Sequence, residues 1–238
     1  MARLSFLKAQ VLDLFFPPYC CGCGTVGTFL CPLCADALVR IPPQCFVCHA
    51  FVPITDASPP GRTCVRCRPD SAVYAFFSPF SYQQSAMREL VHALKYRRSR
   101  EIAEIFADMI VAHLATMQVA LPKDALLVPV PLHKSRERER GFNQSFLITK
   151  ILGEKLGIEV RRDVLKKIKK TVPQMELLRE ERLKNLADTF AFSNSALVQG
   201  KTVILVDDVK TSGATLEEAA RLLKQSGAKQ IWAITVAH

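Results

Sequence analysis

The sequence predicts an α/β domain on a mainly parallel sheet, preceded by a small cysteine-rich module. Three observations carry that expectation. All nine cysteines fall between Cys20 and Cys67, and none follows. Beyond residue 70, short apolar runs alternate with amphipathic stretches, the pattern of strands joined by helices. Two of those runs, 126–130 and 203–206, are apolar at every position, as parallel strands buried on both faces must be. The expected division is 1–70 for an N-terminal helix and the cysteine module, and 71–238 for the α/β domain.

The 238 residues are 49% hydrophobic, enough for a packed core, and no low-complexity tract argues for disorder. The formal net charge of +10 favours polyanions: phosphorylated metabolites, nucleic acid or an anionic membrane surface. A merely soluble basic protein fits the charge equally well. Leu4, Leu7, Val11, Leu14 and Phe15 recur at helical spacing, and Pro17-Pro18 ends that run. Arg3, Lys8 and Asp13 interrupt it, so no secretory signal is expected. No stretch is long and apolar enough to span a bilayer. A cytoplasmic location is expected.

Within the domain, 73–82 reads as strand with a turn at Ser78-Pro79. The stretch 83–96 reads as an amphipathic helix, with Met87, Leu90, Val91 and Leu94 on one face. A second helix over 102–117 carries Ile102, Ile105, Phe106, Met109, Ile110 and Leu114 as a stripe. The strand 126–130 ends at Pro131. A helix follows over 143–156, with Asn143 placed to cap it and Gly157 to stop it. Then come a strand over 158–160, a basic loop over 166–173, a helix over 176–186 and a short strand over 189–192. The central strand is 203–206, its helix 216–225 with Gly227 as the stop, and the last strand 230–236.

The cysteines form four consecutive CxxC pairs: Cys20 and Cys23, Cys31 and Cys34, Cys45 and Cys48, Cys64 and Cys67. Two such pairs supply four thiolates at tetrahedral geometry, which suits structural zinc, so eight ligands suit two ions. Sequential pairing is the simplest arrangement, and interleaved pairing stays open. A redox CxxC normally occurs once, at a helix start, and a secreted disulfide framework lacks its signal peptide here. Cys21 is left as a spare thiol and His49 as a bystander.

The stretch from Val203 to Thr215 reads VILVDDVKTSGAT. Helix N-terminal amides bind phosphate well, and Gly213 lets backbone approach an anion closely. The hydroxyls of Thr211, Ser212 and Thr215 add donors. Asp207 and Asp208 repel phosphate and suit vicinal ribose hydroxyls or a Mg²⁺ bound to them. Together these ends describe a ribose 5-phosphate site. The bland alternative is an ordinary strand, loop and helix, with Thr215 and Glu218 as a capping box. It leaves two adjacent acids at a buried strand end unexplained.

That stretch resembles the phosphoribosyl pyrophosphate (PRPP) motif of the type I phosphoribosyltransferases. A second segment, Val128-Pro129-Val130-Pro131 followed by Arg136-Glu137-Arg138-Glu139-Arg140-Gly141-Phe142-Asn143-Gln144, resembles the VPVP…RERGFNQ pattern of the ComF/GntX family of competence-associated proteins. Leu94-Lys95-Tyr96, Pro173-Gln174, and Arg182 with Asn185 fit further segments of that family. The resemblance implies a type I phosphoribosyltransferase fold behind a double zinc ribbon. It implies that Asp207 and Asp208 contact the ribose, while Val209, Lys210, Thr211, Ser212, Gly213, Ala214 and Thr215 hold the 5-phosphate. Lys210-Thr211-Ser212 departs from many relatives, which carry an apolar residue and two threonines there; a hydroxyl is kept at each needed place.

In the implied fold, Pro131, Leu132 and His133 line the pyrophosphate side, within reach of Arg140, Arg136 and Arg138. Alternation with Glu137 and Glu139 also suits a solvated helix face. Lys169, Lys170 and Gln174 fall where related enzymes carry a mobile loop, and Lys169 there is a candidate catalytic cation beside the two acids. An exposed basic loop is an equal alternative. Arg97, Arg98, Arg100, Arg136 and Arg138 with Lys166, Lys167 and Lys170 form a candidate track for single-stranded DNA. Phe142, Tyr96 and Trp232 are stacking candidates, with burial the simpler role for each.

Three functions compete. The first is a DNA-handling factor of natural transformation with a PRPP pocket, structural zinc, and a partner such as a competence helicase. The second is an active Mg²⁺-dependent phosphoribosyltransferase acting on a nucleobase or amine. The third is a scaffold for protein contacts.

Overall fold

The structure is a computed structural model and describes residues 17–52, 59–97, 99–169 and 189–238. The expected N-terminal helix, the expected helix over 176–186, and Arg98, Lys170, Pro173, Gln174, Arg182 and Asn185 lie outside the described residues. The helices are α1 (Pro32–Asp36), α2 (Ser85–Arg97), α3 (Arg100–Thr116), α4 (Lys134–Arg140), α5 (Gln144–Leu156) and α6 (Ala214–Gln225). The strands are β1 (Val73–Phe77), β2 (Leu126–Pro129), β3 (Glu159–Val160), β4 (Leu165–Lys167), β5 (Phe190–Phe192), β6 (Thr202–Val209) and β7 (Gln230–Ala237).

Five strands form one sheet in the order β1-β7-β6-β2-β3, and each neighbouring pair is parallel. The apolar run of β6 has a physical cause in this sheet. Side chains alternate between faces, and both faces are covered. Ile204 and Val206 pack into a core with Leu90, Leu94, Phe106 and Ile148, from α2, α3 and α5. Val203 and Leu205 pack into the opposite core with Leu216, Ala219 and Leu223, from α6. Each fully buried large side chain contributes about 1.5–3 kcal/mol.

The cysteine-rich segment is part of this packing. Cys20, Phe29, Leu30 and Leu38 belong to the first core. Phe46 belongs to the second.

Four elements differ from expectation. Strand β1 stops at Phe77, short of the expected 82. Strand β6 continues past Val206 to Val209, because β7 keeps pairing with it through Asp207↔Thr235 and Val209↔Ala237. Lys166 and Lys167, expected in a loop, lie in β4, paired antiparallel to β5. The burial of Leu165 beside Phe190 draws the chain into that hairpin. Helix α6 begins at Ala214, one residue before the expected cap at Thr215. Gly213 takes the cap position with φ 78°, a left-handed conformation that Thr would adopt only under strain.

Candidate functional site

The chain leaves β2 and β6 in opposite directions. After β2 it passes through α4 and α5 to β3 on one side. After β6 it passes through α6 to β7 on the other. The strands are neighbours in register, Pro129 opposite Val206. Their C-terminal ends therefore open a crevice at a topological switch point, the usual ligand position in such sheets. Asp207 and Asp208 stand at that crevice.

Helix α5 is aimed at the acids by its cap. Asn143 accepts from the Phe146 amide at 3.2 Å and donates through Nδ2 to the Val130 carbonyl at 3.0 Å. This fixes the helix start to the end of β2. The next two residues then reach the acids. Ser145 Oγ donates to Asp207 Oδ1 at 2.6 Å, and Gln144 Nε2 donates to Asp208 Oδ2 at 3.3 Å. The positive end of the helix dipole faces the same carboxylates. From α2, Lys95 Nζ lies 3.3 Å from Asp208 Oδ2. The Asp208 amide donates to Asp207 Oδ1 at 2.9 Å, and the Val209 amide to Asp208 Oδ1 at 2.8 Å.

Ser145, Gln144 and Lys95 were not assigned to the acids by sequence reasoning. The available signals were GFNQ for Gln144 and LKY for Lys95, both in the family pattern without a role attached; Ser145 lies just outside either. Burial, followed by the charge of Asp208, pushes the Asp207 carboxyl up from 3.8 to about 7, against the lowering pull of Ser145. The Asp207 carboxyl therefore keeps a proton up to near neutrality. A divalent cation or two ribose hydroxyls would replace that proton as the counterpart of the second charge.

The loop after β6 carries the expected phosphate donors. Thr211 and Ser212 are exposed, and the Ala214 amide donates to Ser212 Oγ at 3.4 Å. Lys210 is placed differently from its neighbours. Its side chain is buried, with Nζ 3.4 Å from His49 Nε2 and over the rings of Phe46 and Phe76 at 5.1 and 5.4 Å. Burial lowers this ammonium to about 8. The cation expected at the phosphate thus serves the contact between loop and cysteine segment.

Pro131 and Leu132 line a cavity of about 310 Å³, together with Asn143, Phe146, Arg162, Lys166 and Lys167. Lys166 is exposed, whereas Lys167 is half-buried, over the Phe190 ring at 5.6 Å. Burial lowers the Lys167 pKa, and the charges of Asp207 and Arg136 also act on it. Lys167, assigned to a DNA track, therefore lies within electrostatic range of the acids. Arg136, Arg138 and Arg140 lie on α4, which His133 caps by accepting from the Ser135 amide. Gly141 ends that helix at φ 76°. Lys169 follows β4 and is exposed. Arg100 opens α3 and pairs with Glu104 at 2.9 Å. Of the stacking candidates, Trp232 is buried in β7 and Tyr96 is 67% exposed.

The cysteines gather in two groups, Cys20/Cys23/Cys31/Cys34 and Cys45/Cys48/Cys64/Cys67, with ligand atoms within 4.8 Å of one another. Sulfur separations of 3.7 Å (Cys23 to Cys31) and 3.8 Å (Cys48 to Cys64) fit a tetrahedral ion. Zinc–thiolate bonds of about 2.3 Å place sulfurs about 3.8 Å apart. The Cys31 amide donates to Cys20 Sγ at 3.3 Å, and the Cys64 amide to Cys45 Sγ at 3.4 Å. Contact with the neighbouring sulfurs pushes Cys34 up to about 12, so four thiolates need a cation to coexist. Each group can hold a metal ion, and the grouping is sequential.

Comparison with known proteins decides the family. Residues 143–238 match the model described as "Phosphoribosyl transferase domain". The DNA utilization protein YhgH of Salmonella typhi is 32% identical over 212 residues, covering 86% of this chain and 89% of that protein. The chain belongs to the ComF/GntX family. Other ComF/GntX relatives include competence protein ComFC of Bacillus subtilis, 30% identical over 83% of this chain and 72% of its own. Competence protein F of Haemophilus influenzae is 35% identical over 50% of this chain and 52% of its own. Among solved structures, phosphoribosylpyrophosphate synthetase from Mycobacterium smegmatis aligns over 56% of this chain and 33% of its own, at 17% identity and TM-score 0.32. In this ComF/GntX member no described helix is long and apolar enough to cross a membrane.

Proposed function

We propose that this ComF/GntX protein handles single-stranded DNA during natural transformation, in the cytoplasm, and binds PRPP or a related phosphorylated ribose. The names of its relatives, competence protein and DNA utilization protein, support the cellular role. The observation that carries the pocket reading is the acid pair at the switch point, held by Ser145, Gln144 and Lys95 beside the start of α6.

Asp207 and Asp208 hold the ribose hydroxyls, directly or through Mg²⁺. The residues from Thr211 to Thr215 hold the 5-phosphate. Pro131, Leu132 and Arg140 face the pyrophosphate, with Lys167 and Lys169 as its cations. Zinc fills both cysteine groups. Arg97, Arg100, Arg136, Arg138 and Lys166 offer charge to the DNA backbone.

Calorimetry with Mg²⁺ and PRPP, on the wild type and on Asp207→Ala with Asp208→Ala, tests the pocket. Micromolar binding lost in the double variant is expected, and equal binding by both proteins refutes it. Metal content by mass spectrometry is expected at two zinc ions per chain.

A second reading, an active phosphoribosyltransferase, is favoured by the family model matched over 143–238. Pyrophosphate release from PRPP in the presence of nucleobases or amines, lost on Asp207→Ala, decides for it.

A further inference from the structure

We propose that the second cysteine group, Cys45/Cys48/Cys64/Cys67, sets the conformation of the phosphate loop through Phe46 and Lys210. This rests on reading the loop 210–215 as the phosphate site.

Phe46 lies between two members of one cysteine group, Cys45 and Cys48, so the turn that aims its ring is the turn that presents their sulfurs to a metal ion. The ring is 4% exposed and sits edge-on to Phe76 of β1 at 5.5 Å. Among the described residues 17–70, only Phe46 enters the buried core shared with α6. It reaches the loop itself. A Cβ added at Gly213 would stand 3.0 Å from Phe46 Cζ and 2.9 Å from Lys210 Cε. Phe46 and the Lys210 stem therefore form the floor on which Gly213, the cap of α6, rests.

The contact is closed from the other side of the same turn. His49, next after Cys48, meets Lys210 Nζ and stacks on His238 at 5.8 Å. His238 Nε2 lies 3.1 Å from Gln44 Oε1, just before Cys45. The Lys210 amide donates to the Ala237 carbonyl at 3.0 Å. The segment 44–49 thus grips the loop where its chain leaves β6 and where α6 starts. The first cysteine group has a different setting. Cys20 lies in the opposite core, and Gly22 packs against Cys34 and Ala86.

A phosphate loop binds through amides that must converge on one anion. Order in those amides is supplied before the ligand arrives if the floor is fixed, and must be supplied by the ligand if it is not. Loss of the second metal site, or of Phe46, loosens the loop and weakens phosphate binding together.

The test uses the full chain with its metal. Hydrogen exchange at amides 211–214 and calorimetric affinity for ribose 5-phosphate are measured for wild type, Phe46→Ala, Phe46→Leu and Cys67→Ser. Leu38→Ala, a deletion in the other core, is the packing control. Phe46→Ala and Cys67→Ser are expected to speed exchange and weaken binding by about tenfold each, with Phe46→Leu between them and wild type. Leu38→Ala is expected to stay within about twofold on both readouts. Phe46→Ala behaving as Leu38→Ala does overturns the proposal, whether or not Cys67→Ser folds. If wild type binds no ribose 5-phosphate while Phe46→Ala still loosens 211–214, the coupling stands and the sugar-phosphate reading falls.

Discussion

Asp207→Asn is expected to make the protein more stable while removing its ligand site. Both hydrogen bonds that hold the Asp207 carboxyl, from Ser145 Oγ and from the Asp208 amide, end on Oδ1. Asparagine retains an oxygen there, so the substitution removes charge and keeps the contacts. The wild-type carboxyl is raised from 3.8 to about 7 in the fold. The folded state therefore holds its proton after the unfolded chain has lost it, and stability falls as pH rises through that window. The full interval corresponds to about 4 kcal/mol above pH 7. Asp207 keeps part of its surface in water, so solvent screening reduces the expected gain to about 1–3 kcal/mol at pH 8. That is a rise of about 3–9 °C in Tm for a chain of this size. At pH 4 the gain should vanish. Thermal and urea denaturation at both pH values measure it, with calorimetry on Mg²⁺ and PRPP alongside. A destabilised variant at pH 8, or the same gain at both pH values, refutes the reasoning.

Lys95→Met leaves Asp208 without its ammonium partner at 3.3 Å. Lys95 is 25% exposed, so a loss of about 1–3 kcal/mol at pH 8 is expected in urea denaturation, with Lys95→Arg restoring part of it. His113 is buried with its Nδ1 unpartnered, and burial lowers it to about 4. Its neutral form is favoured in the fold, so stability is full above about pH 6.5 and lost as pH falls toward 4; His113→Leu should flatten that acid limb by about 2–3 kcal/mol. Single-stranded DNA affinity should fall steeply with salt, and Arg138→Ala with Lys166→Ala should lower the slope of log affinity on log salt by about 1.4.

The parts of the fold governed by neighbours in sequence could be read directly. Asn143 and Gly157 bound α5 as expected, because capping and the left-handed stop are local events. The run from Val203 to Val206 declares burial on both faces, and β6 lies at the sheet centre. The CxxC spacing gives two groups of four. The site itself was legible only in its acids and hydroxyls. Ser145, Gln144 and Lys95 reach those acids across 62, 64 and 113 residues; Gln144 and Lys95 lie in family motifs that carry no role of their own, and Ser145 lies in neither. Lys210 carried a charge that sequence reasoning aimed at phosphate, but the packing of Phe46 and Phe76 turned it inward. Strand β5 was expected, but its partner β4 was missed because the lysines of Leu165–Lys167 mask a strand anchored by one buried leucine.

The place of β7 in the sheet has a consequence for how the chain can fold. Strand β1, made early, pairs with β7, and β7 also pairs with β6. Until the residues from Gln230 to Ala237 leave the ribosome, β1 lacks its one parallel partner among the described strands and β6 is an open edge. The cysteine segment, with its closely spaced ligands, can close around metal long before that moment. Assembly is therefore expected to run from a preformed N-terminal unit and a β6-β2-β3 half-sheet, joined last by a single strand. Any truncation that removes β7 leaves two fragments with exposed strand edges rather than a smaller version of the domain.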